Sequence, residues 1–520
     1  MILLSAAKQL LRTKNLENRG DFNICIEYYL FVFMSCSKEE RAIPQFHHTE
    51  LLKDYKVDGI RLVSVPHMSG RSEVDENDLV NVRTNVGVAG ELYNEYQDTK
   101  DCVIADLLRT KHSDPELVAY IRAGARKHLW YRKEDVGAVI VTCGGICPGL
   151  NNIIREIVIS LYRLYGVTRV YGMMNGYGGF TEALTNPEEC VIELTPEVVD
   201  TIHHQGGTFL RSARGGFNAD NILRWCLKNA VNQIYVVGGD GTHRGANVLF
   251  EEIQRRHLAI SIGGIPKTID NDIAMVDRSF GFETAVQECT RAIRSALVEA
   301  MSCEYGVGIV KLMGREAGFI AAYATLASHD VDLCLIPEVD VDLYDDEYGI
   351  LPYIRRCLER QRHCVVVTSE GISLPGLEAD GSTDASGNKR FPDVGVYLKQ
   401  LVTAYFSEEE NNPTRMNVSV KYIDPSYMIR SVPANAFDSI QCLILAENVV
   451  HGMMAGFTGF TVGVCNNRSV YIPIKDLTDN SPRTLYPFGR TYERVVNITG
   501  QPDFSKPMRA RLRAKWCVCL

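Results

Sequence analysis

One pattern recurs along the middle of this chain: a short apolar run, then a glycine-rich or polar motif, then a stretch with helical periodicity. The apolar runs lie at residues 136–141, 234–237, 260–265, 308–312 and 365–368. Such runs are typical of strands buried on both faces, and their alternation with helices favours parallel sheets. The pattern therefore predicts an α/β fold with helices on both faces of its sheets.

The motifs that follow the runs are GGICPG at 144–149, GGDGT at 238–242, PKTIDND at 266–272, MGR at 313–315 and SEG at 369–371. The first motif is followed by a helix that opens at Asn151, and the second by a helix predicted from Ala246. In parallel α/β sheets, ligands gather at the carboxyl ends of the strands. All five motifs fall at such ends, so they predict one ligand-binding edge.

The PKTIDND motif has the most specific chemistry. In an extended or tightly turned segment, Thr268, Asp270 and Asp272 project toward the same side. A carboxylate there can act as a base toward a sugar hydroxyl, beside a cation, Lys267, that suits phosphoryl oxygens. Taken alone, the motif is equally compatible with an acidic turn.

The two glycine-rich motifs and residues 206–216 (GGTFLRSARGG) indicate phosphate binding. Glycines let the backbone approach a nucleotide closely, and helix N-termini supply positive potential. Asp240 can hold Mg²⁺ directly or through water, and Thr242 can donate to a phosphate. Arg211 and Arg214 suit phosphate oxygens. For each motif alone, a tight structural turn or a solvated surface loop stays the alternative.

The bulk composition excludes some classes of protein. The chain has 520 residues and a net charge of −9. A basic excess is typical of nucleic-acid binding, so we expect no nucleic-acid partner. No stretch approaches the roughly 20 uncharged apolar residues that cross a bilayer, so we expect no membrane partner. The 16 cysteines follow no disulfide or zinc spacing and indicate a reducing, cytoplasmic location.

The N-terminus leaves a second location open. Within the first twenty residues, four basic side chains accompany a single acidic one, Glu17, and leucines can share a helix face. This composition resembles a weak organelle transit peptide. A surface helix is the alternative interpretation.

Together the motifs resemble those of the 6-phosphofructokinase family, in the family's order, over about residues 120–485. The likeness is strongest to the plant and trypanosomatid ATP-dependent branch, which has an N-terminal extension, the lysine of PKTIDND and a segment like YMIR at 427–430. The resemblance implies a glycolytic, allosteric phosphotransferase. Such an enzyme uses ATP and Mg²⁺ to phosphorylate the 1-hydroxyl of fructose 6-phosphate.

The resemblance also implies a role for each matching residue. The implied catalytic residues are Asp270 as general base, Thr268 and Asp272 as holders of the phosphoryl group and its metal, and Lys267 and Arg315 as cations. The implied metal residue is Asp240. The implied nucleotide-binding residues are Gly145, Arg214, Gly215, Gly239, Asp240, Gly241, Thr242 and Gly245. The implied sugar-phosphate-binding residues are Thr268, Ile269, Asp270, Met313, Gly314, Arg315, Glu370, Lys421, Tyr427, Met428, Ile429 and Arg430.

For the architecture, the resemblance implies two Rossmann-like three-layer domains whose parallel sheets face each other across a cleft. We expect residues 1–95 to form an N-terminal extension. Residues 96–281 with 430–482 are expected to form a nucleotide-binding domain, and residues 282–429 with 483–520 a sugar-phosphate-binding domain and C-terminal tail. A homotetramer or homodimer is implied as well.

Three other functions stay open. Pyrophosphate-dependent relatives share the lysine before Thr268, but they typically carry aspartate where this chain has Gly241, and that carboxylate would repel the α-phosphate of a nucleotide. A catalytically silent regulatory subunit usually lacks a carboxylate that this chain keeps at Asp240, Asp270 and Asp272. A kinase for another acceptor would share only GGDGT. We therefore expect ATP as donor and fructose 6-phosphate as acceptor.

Overall fold

The computed structural model describes residues 55–57, 60–68, 96–97, 101–105, 117–377 and 392–508. The predicted transit peptide and most of the predicted N-terminal extension lie outside these residues. Within the described ranges, no helix is both long enough and apolar enough to cross a membrane.

The strands form two sheets, one of 11 strands and one of four, in the part of the chain described. In chain order the strands are β1 (Tyr55–Val57), β2 (Ile60–Val63), β3 (Cys102–Ile104), β4 (Leu117–Arg122), β5 (Ala138–Thr142), β6 (Val170–Met173), β7 (Val191–Glu193), β8 (Gln233–Gly238), β9 (Ser261–Pro266), β10 (Tyr305–Leu312), β11 (Leu333–Leu335), β12 (His363–Ser369), β13 (Val418–Ile423), β14 (Phe460–Cys465) and β15 (Arg468–Pro473). The large sheet has the order β1-β2-β4-β15-β14-β9-β8-β5-β6-β7, with β3 paired to β4, and the small sheet has the order β11-β12-β10-β13.

Helices separate most of these strands. In chain order they are α1 (Leu150–Tyr165), α2 (Tyr177–Glu182), α3 (Pro187–Cys190), α4 (Ala219–Lys228), α5 (Asp240–Arg255), α6 (Phe282–Met301), α7 (Phe319–Ser328), α8 (Ile350–Gln361), α9 (Val394–Ser407), α10 (Ser426–Arg430), α11 (Ala436–Met454), α12 (Ile474–Asn480) and α13 (Arg490–Thr499). The small sheet is parallel, whereas the large sheet is mixed, with a parallel centre and antiparallel pairs towards its edges. The alternation of helices with these strands confirms the predicted α/β fold class.

The centre of the large sheet is a parallel block of β6, β5, β8, β9 and β14. Ile140 of β5 belongs to the core that includes α1 and α11, whereas Val139 and Val141 belong to the core that includes α4 and α5. Because successive strand residues point to opposite faces, this division makes three layers. The parallel strands all end at one edge of the sheet.

The four strands of the small sheet are all parallel. On one face Gly308 of β10 lies so close to α6 that a β-carbon there would be 2.7 Å from the Ala296 carbonyl oxygen. On the other face the Tyr422 ring of β13 packs against Gly395 of α9. The small sheet is therefore the middle of a second three-layer unit.

The helix predicted from Ala246 begins earlier, at Asp240, so that prediction was wrong. Gly239 is extended and caps the helix, and the backbone N–H groups of Thr242 and His243 both donate to its carbonyl oxygen at 3.0 Å. The glycine-rich sequence looks like a loop, but its second half is the first helical turn. The GGDGT motif is therefore itself a helix N-terminus.

Within the described residues the chain passes between the two sheets three times: from β9 to α6, from β13 to α11, and from α12 to α13. Helix α6 packs on β10, α11 packs on α1 and β9, and α13 packs on α7 and β11. These crossings lie near the predicted domain limits at 281, 429 and 482. The division into domains itself stays a prediction. Strand β2 pairs with β4, so part of the predicted N-terminal extension belongs to the large sheet.

Candidate active site

A cavity of about 460 Å³ lies between the carboxyl ends of strands from both sheets. The segments after β5, β8 and β9 form what we call the large-sheet wall, and the ends of β10, β12 and β13 with α10 form the small-sheet wall. The charged and hydroxyl side chains that line the cavity include Arg214, Asp240, Lys267, Thr268, Asp270, Asp272, Lys311, Arg315, Glu370, Asp424, Tyr427 and Arg430. Residues from all five motifs that predicted a shared ligand-binding edge therefore line one cavity.

The large-sheet wall presents the N-terminus of α5. Asp240 opens this helix and pairs with Arg244, at 2.8 Å between Oδ2 and Nη2. Its other oxygen, Oδ1, is buried without a hydrogen-bond partner in the part of the chain described. Burial raises the pKa of Asp240, and Arg244 counteracts this shift. A helix N-terminus beside an unsatisfied carboxylate oxygen suits a phosphate that brings its own cation.

The loop at 266–272 turns sharply at Asn271, which is left-handed with a φ of 55°. The Thr268 hydroxyl donates to Asp272 Oδ1 at 2.7 Å, and the Asp270 backbone N–H donates to the Thr268 hydroxyl at 3.1 Å. Behind the loop, Asn271 Oδ1 accepts from the Ser279 N–H at 2.9 Å. These bonds direct Thr268, Asp270 and Asp272 to the same cavity, the arrangement that their spacing predicts.

The surroundings of Asp270 suit a proton acceptor. Its Oδ1 atom is fully buried and has no hydrogen-bond partner among the described residues. Burial, together with the carboxylates of Asp272 and Glu370, raises the pKa of Asp270, while Arg315 and Lys267 act in the opposite direction. Such a carboxylate accepts a proton readily when bound positive charge keeps it ionised beforehand.

Positive charge is concentrated at the first glycine-rich turn. Lys267 is buried, and its Nζ donates to the Gly145 carbonyl oxygen at 2.6 Å. Burial lowers the pKa of Lys267. A β-carbon at Gly145 would lie 3.7 Å from Arg430 Nη1 and 3.9 Å from Arg214 Nη2, so both guanidinium groups flank this glycine. Three cations converge here, which suits a ligand with several phosphate oxygens.

The described residues contain no group of three or more histidine, cysteine or acidic side chains that could hold a metal ion by itself. In kinases Mg²⁺ is usually held by one or two carboxylates together with phosphate oxygens of the substrate. The unsatisfied Oδ1 of Asp240 fits that mode. Asp240 would therefore hold Mg²⁺ directly or through water.

The small-sheet wall is built from charged side chains. Arg315 pairs with Glu370, at 3.5 Å between Nε and Oε1, and the Arg430 guanidinium lies over the Tyr427 ring at 5.0 Å from its centroid. The Nε of Arg430 is buried and has no hydrogen-bond partner within the described ranges. Arg430 thus keeps a donor for a ligand.

Most of the predicted site residues line this cavity. Those that do are Gly145, Arg214, Gly239, Asp240, Lys267, Thr268, Ile269, Asp270, Asp272, Met313, Arg315, Glu370, Tyr427 and Arg430. Those that do not are Gly215, Gly241, Thr242, Gly245, Gly314, Lys421, Met428 and Ile429. The individual roles of all these residues stay predictions.

The geometry of α10 explains part of this division. Residues three apart share a helix face, so Tyr427 and Arg430 both reach the cavity. Met428 is exposed and Ile429 is buried in the core. Lys421 is exposed in β13, before the carboxyl end of the strand. The structure does not bring these last three side chains to the cavity.

Three charged residues near the loop at 266–272 were missed from the sequence. Lys311 and Asp424 line the cavity and pair at 2.8 Å. Arg483 donates from its backbone N–H to the Asp272 carbonyl oxygen at 2.6 Å, and from Nε to the Asn271 carbonyl oxygen at 3.1 Å. A lysine in an otherwise uncharged strand was the available indication for Lys311, whereas no local pattern marks the other two.

Comparison with protein-family models matches residues 137–453 to Phosphofructokinase. The chain belongs to the phosphofructokinase family. ATP-dependent 6-phosphofructokinase 4, chloroplastic, from Arabidopsis thaliana is 43% identical over 480 residues, which covers 90% of this chain and 88% of the relative. ATP-dependent 6-phosphofructokinase from Trypanosoma brucei brucei is 42% identical over 377 residues, which covers 72% of this chain and 75% of the relative. The predicted family and its plant and trypanosomatid likeness are confirmed.

Solved structures of the family share the fold. The crystal structure of pyrophosphate-dependent phosphofructokinase from Nitrosospira multiformis superposes with a TM-score of 0.56 at 16% sequence identity. The match covers 71% of this chain and 96% of that one. At this identity the likeness supports the two-unit α/β architecture alone.

Proposed function

We propose that this phosphofructokinase is an ATP-dependent 6-phosphofructokinase, which transfers the γ-phosphoryl group of MgATP to the 1-hydroxyl of fructose 6-phosphate. One observation carries the proposal: Asp270, Lys267 and the α5 N-terminus converge on one cavity. The relatives named above, which are ATP-dependent 6-phosphofructokinases, support it. The products would be fructose 1,6-bisphosphate and ADP.

In the proposed reaction Asp270 takes the proton of the 1-hydroxyl as its oxygen attacks the γ-phosphorus. The new oxygen–phosphorus bond forms while the bond between the γ-phosphorus and the β–γ bridging oxygen breaks, and that oxygen leaves as part of ADP. The proton then passes from Asp270 to solvent. Thr268 and Asp272 would orient the phosphoryl group beside this base. Phosphoryl transfer needs mainly alignment and charge neutralisation, and this loop supplies the alignment.

Fixed positive charge would come from Lys267, Arg214 and Arg315, whose side chains line the cavity. Bound Mg²⁺, held through Asp240, would neutralise charge on the phosphate oxygens. On the acceptor side, Glu370 would contact the sugar, and Arg430 with Tyr427 would bind its 6-phosphate. The unsatisfied donor of Arg430 supports this last role.

The choice of ATP over pyrophosphate rests on Gly241. A β-carbon at this position would meet no other atom within 4 Å, so the first turn of α5 is open here. A carboxylate in that space would repel an α-phosphate by about 4 kcal/mol at 4 Å and an intermediate dielectric. Glycine leaves the space to a nucleotide, which supports ATP as the donor.

The test is a steady-state comparison of donors and acceptors. We expect ADP and fructose 1,6-bisphosphate to form from MgATP and fructose 6-phosphate, with much slower turnover from pyrophosphate. NAD and sedoheptulose 7-phosphate serve as alternative acceptors and should be poor. Faster turnover with pyrophosphate would contradict the donor assignment. Binding of both substrates without turnover would indicate a silent regulatory subunit.

We propose a cytoplasmic homo-oligomer, a tetramer or a dimer. The relative named chloroplastic supplies the competing location. Imaging of the full-length chain with a C-terminal fluorescent tag, with and without its first twenty residues, decides between them, and organelle fluorescence that needs those residues would contradict the proposal. Light scattering coupled to gel filtration measures the assembly, and a single-subunit mass would contradict an oligomer.

A further inference from the structure

Lys311 is the single charged residue of β10 and lies next to the end of that strand. Its side chain is only 13% exposed, yet it lines the same cavity as Asp270. Its Nζ lies 2.8 Å from Asp424 Oδ2 and 3.3 Å from Asp393 Oδ2. Burial lowers the pKa of Lys311, but hydrogen bonds with Asp424 and Tyr422 more than offset this, so its pKa is raised and the lysine is charged.

Asp424 connects this lysine to the predicted sugar-phosphate segment. Its other oxygen, Oδ1, accepts from the Ser426 backbone N–H at 3.1 Å and from the Ser426 hydroxyl at 2.6 Å. Ser426 is the first residue of α10, which carries Tyr427 and Arg430 into the cavity. The carboxylate therefore fixes the entry to α10 with one oxygen and Lys311 with the other.

Asp393 connects the same lysine to the neighbouring layer. Its Oδ1 accepts from the Tyr422 hydroxyl at 2.8 Å and from the backbone N–H groups of Gly395 and Val396 at 3.0 and 3.2 Å. These bonds cap the N-terminus of α9. Lys311 thus lies where the end of β10, the turn after β13 and the start of α9 meet.

The balance of charge in this group is unequal, with one lysine between two aspartates. Without the lysine, two carboxylates would face each other beside a cavity whose proposed ligand is a sugar phosphate dianion. Because the carboxylates of Asp393 and Asp424 both accept hydrogen bonds from Lys311, its ammonium group is held by protein partners. Its position in the cavity wall is therefore better suited to holding other residues than to binding a ligand itself.

We propose that Lys311 is a positioning residue for the phosphoryl acceptor: it holds Asp424, and through Asp424 it sets the orientation of α10 and of Tyr427 and Arg430. This inference rests on the proposed function, because it takes the ligand of α10 to be fructose 6-phosphate. Apart from Arg430, which also flanks Gly145, no described residue of this network lies near a predicted nucleotide-binding residue. The network therefore predicts a selective effect on the acceptor.

The experiment is a double-mutant cycle with Lys311→Met, Asp424→Asn and the double variant, assayed with MgATP and fructose 6-phosphate. We expect Lys311→Met to raise KM for fructose 6-phosphate on the order of tenfold to a hundredfold, with KM for ATP within about twofold of the parent. Because Lys311 acts through Asp424, the double variant should be no worse than Lys311→Met alone. Lys311→Arg should restore part of the loss.

Tyr422→Phe is the matched control. It removes the hydrogen bonds of the Tyr422 hydroxyl with Asp393 and Lys311 and leaves the Lys311–Asp424 pair intact, so KM for fructose 6-phosphate should stay close to the parental value. Thermal melting of each variant checks folding. If Lys311→Met does not fold, Asp424→Asn takes its place, since this variant keeps the lysine and its pairing with Asp393.

Several results would overturn the inference. If Lys311→Met or Asp424→Asn kept the parental KM for fructose 6-phosphate, the proposed positioning role of Lys311 would be refuted. Additive effects in the double variant would indicate that Lys311 contacts the sugar phosphate directly, and equal rises in KM for ATP would indicate a general distortion. Failure of the proposed function is distinguishable, because the parent itself would then show no turnover of fructose 6-phosphate with MgATP.

Discussion

On the large-sheet wall, the cavity is lined by two glycine-rich turns, a helix N-terminus and a buried lysine that donates to a backbone carbonyl. On the small-sheet wall, it is lined by ion pairs: Arg315 with Glu370, and Lys311 with Asp424. The first wall offers polar groups whose geometry follows from the backbone. The second depends on side chains that meet only after the chain has folded. Predictions from sequence should therefore succeed more often on the first wall.

The loop at 266–272 joins the two walls, so Asp270→Asn should have the largest effect. The amide cannot take the proton of the 1-hydroxyl, and we expect kcat to fall by about 10² to 10⁴-fold. Calorimetric titration of MgATP and fructose 6-phosphate into the variant shows whether both ligands still bind. Parental turnover by a folded Asp270→Asn protein would refute the role of this carboxylate.

Gly241→Asp tests whether the large-sheet wall selects the donor. The open space at this position accommodates the side chain, so the protein should fold normally. Its charge should lower kcat/KM for ATP by roughly a thousandfold, the equivalent of the repulsion of about 4 kcal/mol given above. Gly241→Asn is the matched control, because it has the same shape without the charge and should lose much less. Equal losses in the two variants would point to steric exclusion instead.

The two walls should also differ in their response to acid. His243 of α5 is fully buried, and burial lowers its pKa to about 4. The unfolded chain protonates His243 below the ordinary pKa of 6.5, whereas the folded chain does so only near 4. The free energy of unfolding therefore decreases as the pH is lowered from about 6.5 to about 4. In contrast, ion pairing and hydrogen bonding lower the pKa of Asp393 and Asp424 despite their burial, so the stability that they contribute is lost only in stronger acid.

Between pH 7 and pH 5, the parent should lose about 2 kcal/mol more unfolding free energy than His243→Gln, as measured by urea titrations at each pH. Titrations of all other groups cancel in this difference. Identical pH dependence in the two proteins would mean that His243 is protonated or solvated in the folded state.

The smallest expected effect concerns Gly215. It has a left-handed φ of 75°, and a β-carbon there would meet no atom within 4 Å. Gly215→Ala should therefore cost only the backbone strain, about 1 kcal/mol of stability. Gly241 lies in the first turn of α5 with ordinary helical geometry, so Gly241→Ala should be neutral or slightly stabilising. Equal melting temperatures for the two variants would contradict the role of backbone conformation here.

The sequence predicted the parallel α/β class, the shared edge and the loop at 266–272, because each is recorded in a short contiguous stretch. It failed at the start of α5, where glycines that are typical of turns form a helical N-terminus. It also missed Lys311 and Asp424, since an ion pair between residues far apart in the sequence leaves no periodic pattern. On α10, a contiguous motif suggested four ligand contacts, but only one face of the helix reaches the cavity.

Each of the three connections between the sheets also supplies part of the cavity wall: Asp272 lies in the first, Arg430 in the second and Ser481 in the third. Among the described residues, these connections are the only covalent links between the two sheets. Any rotation of one sheet relative to the other must therefore change backbone torsion angles in these same connections, which line the cavity. A substrate that contacts all three connections would restrain one sheet against the other, and any motion that separates the sheets would weaken several substrate contacts at once.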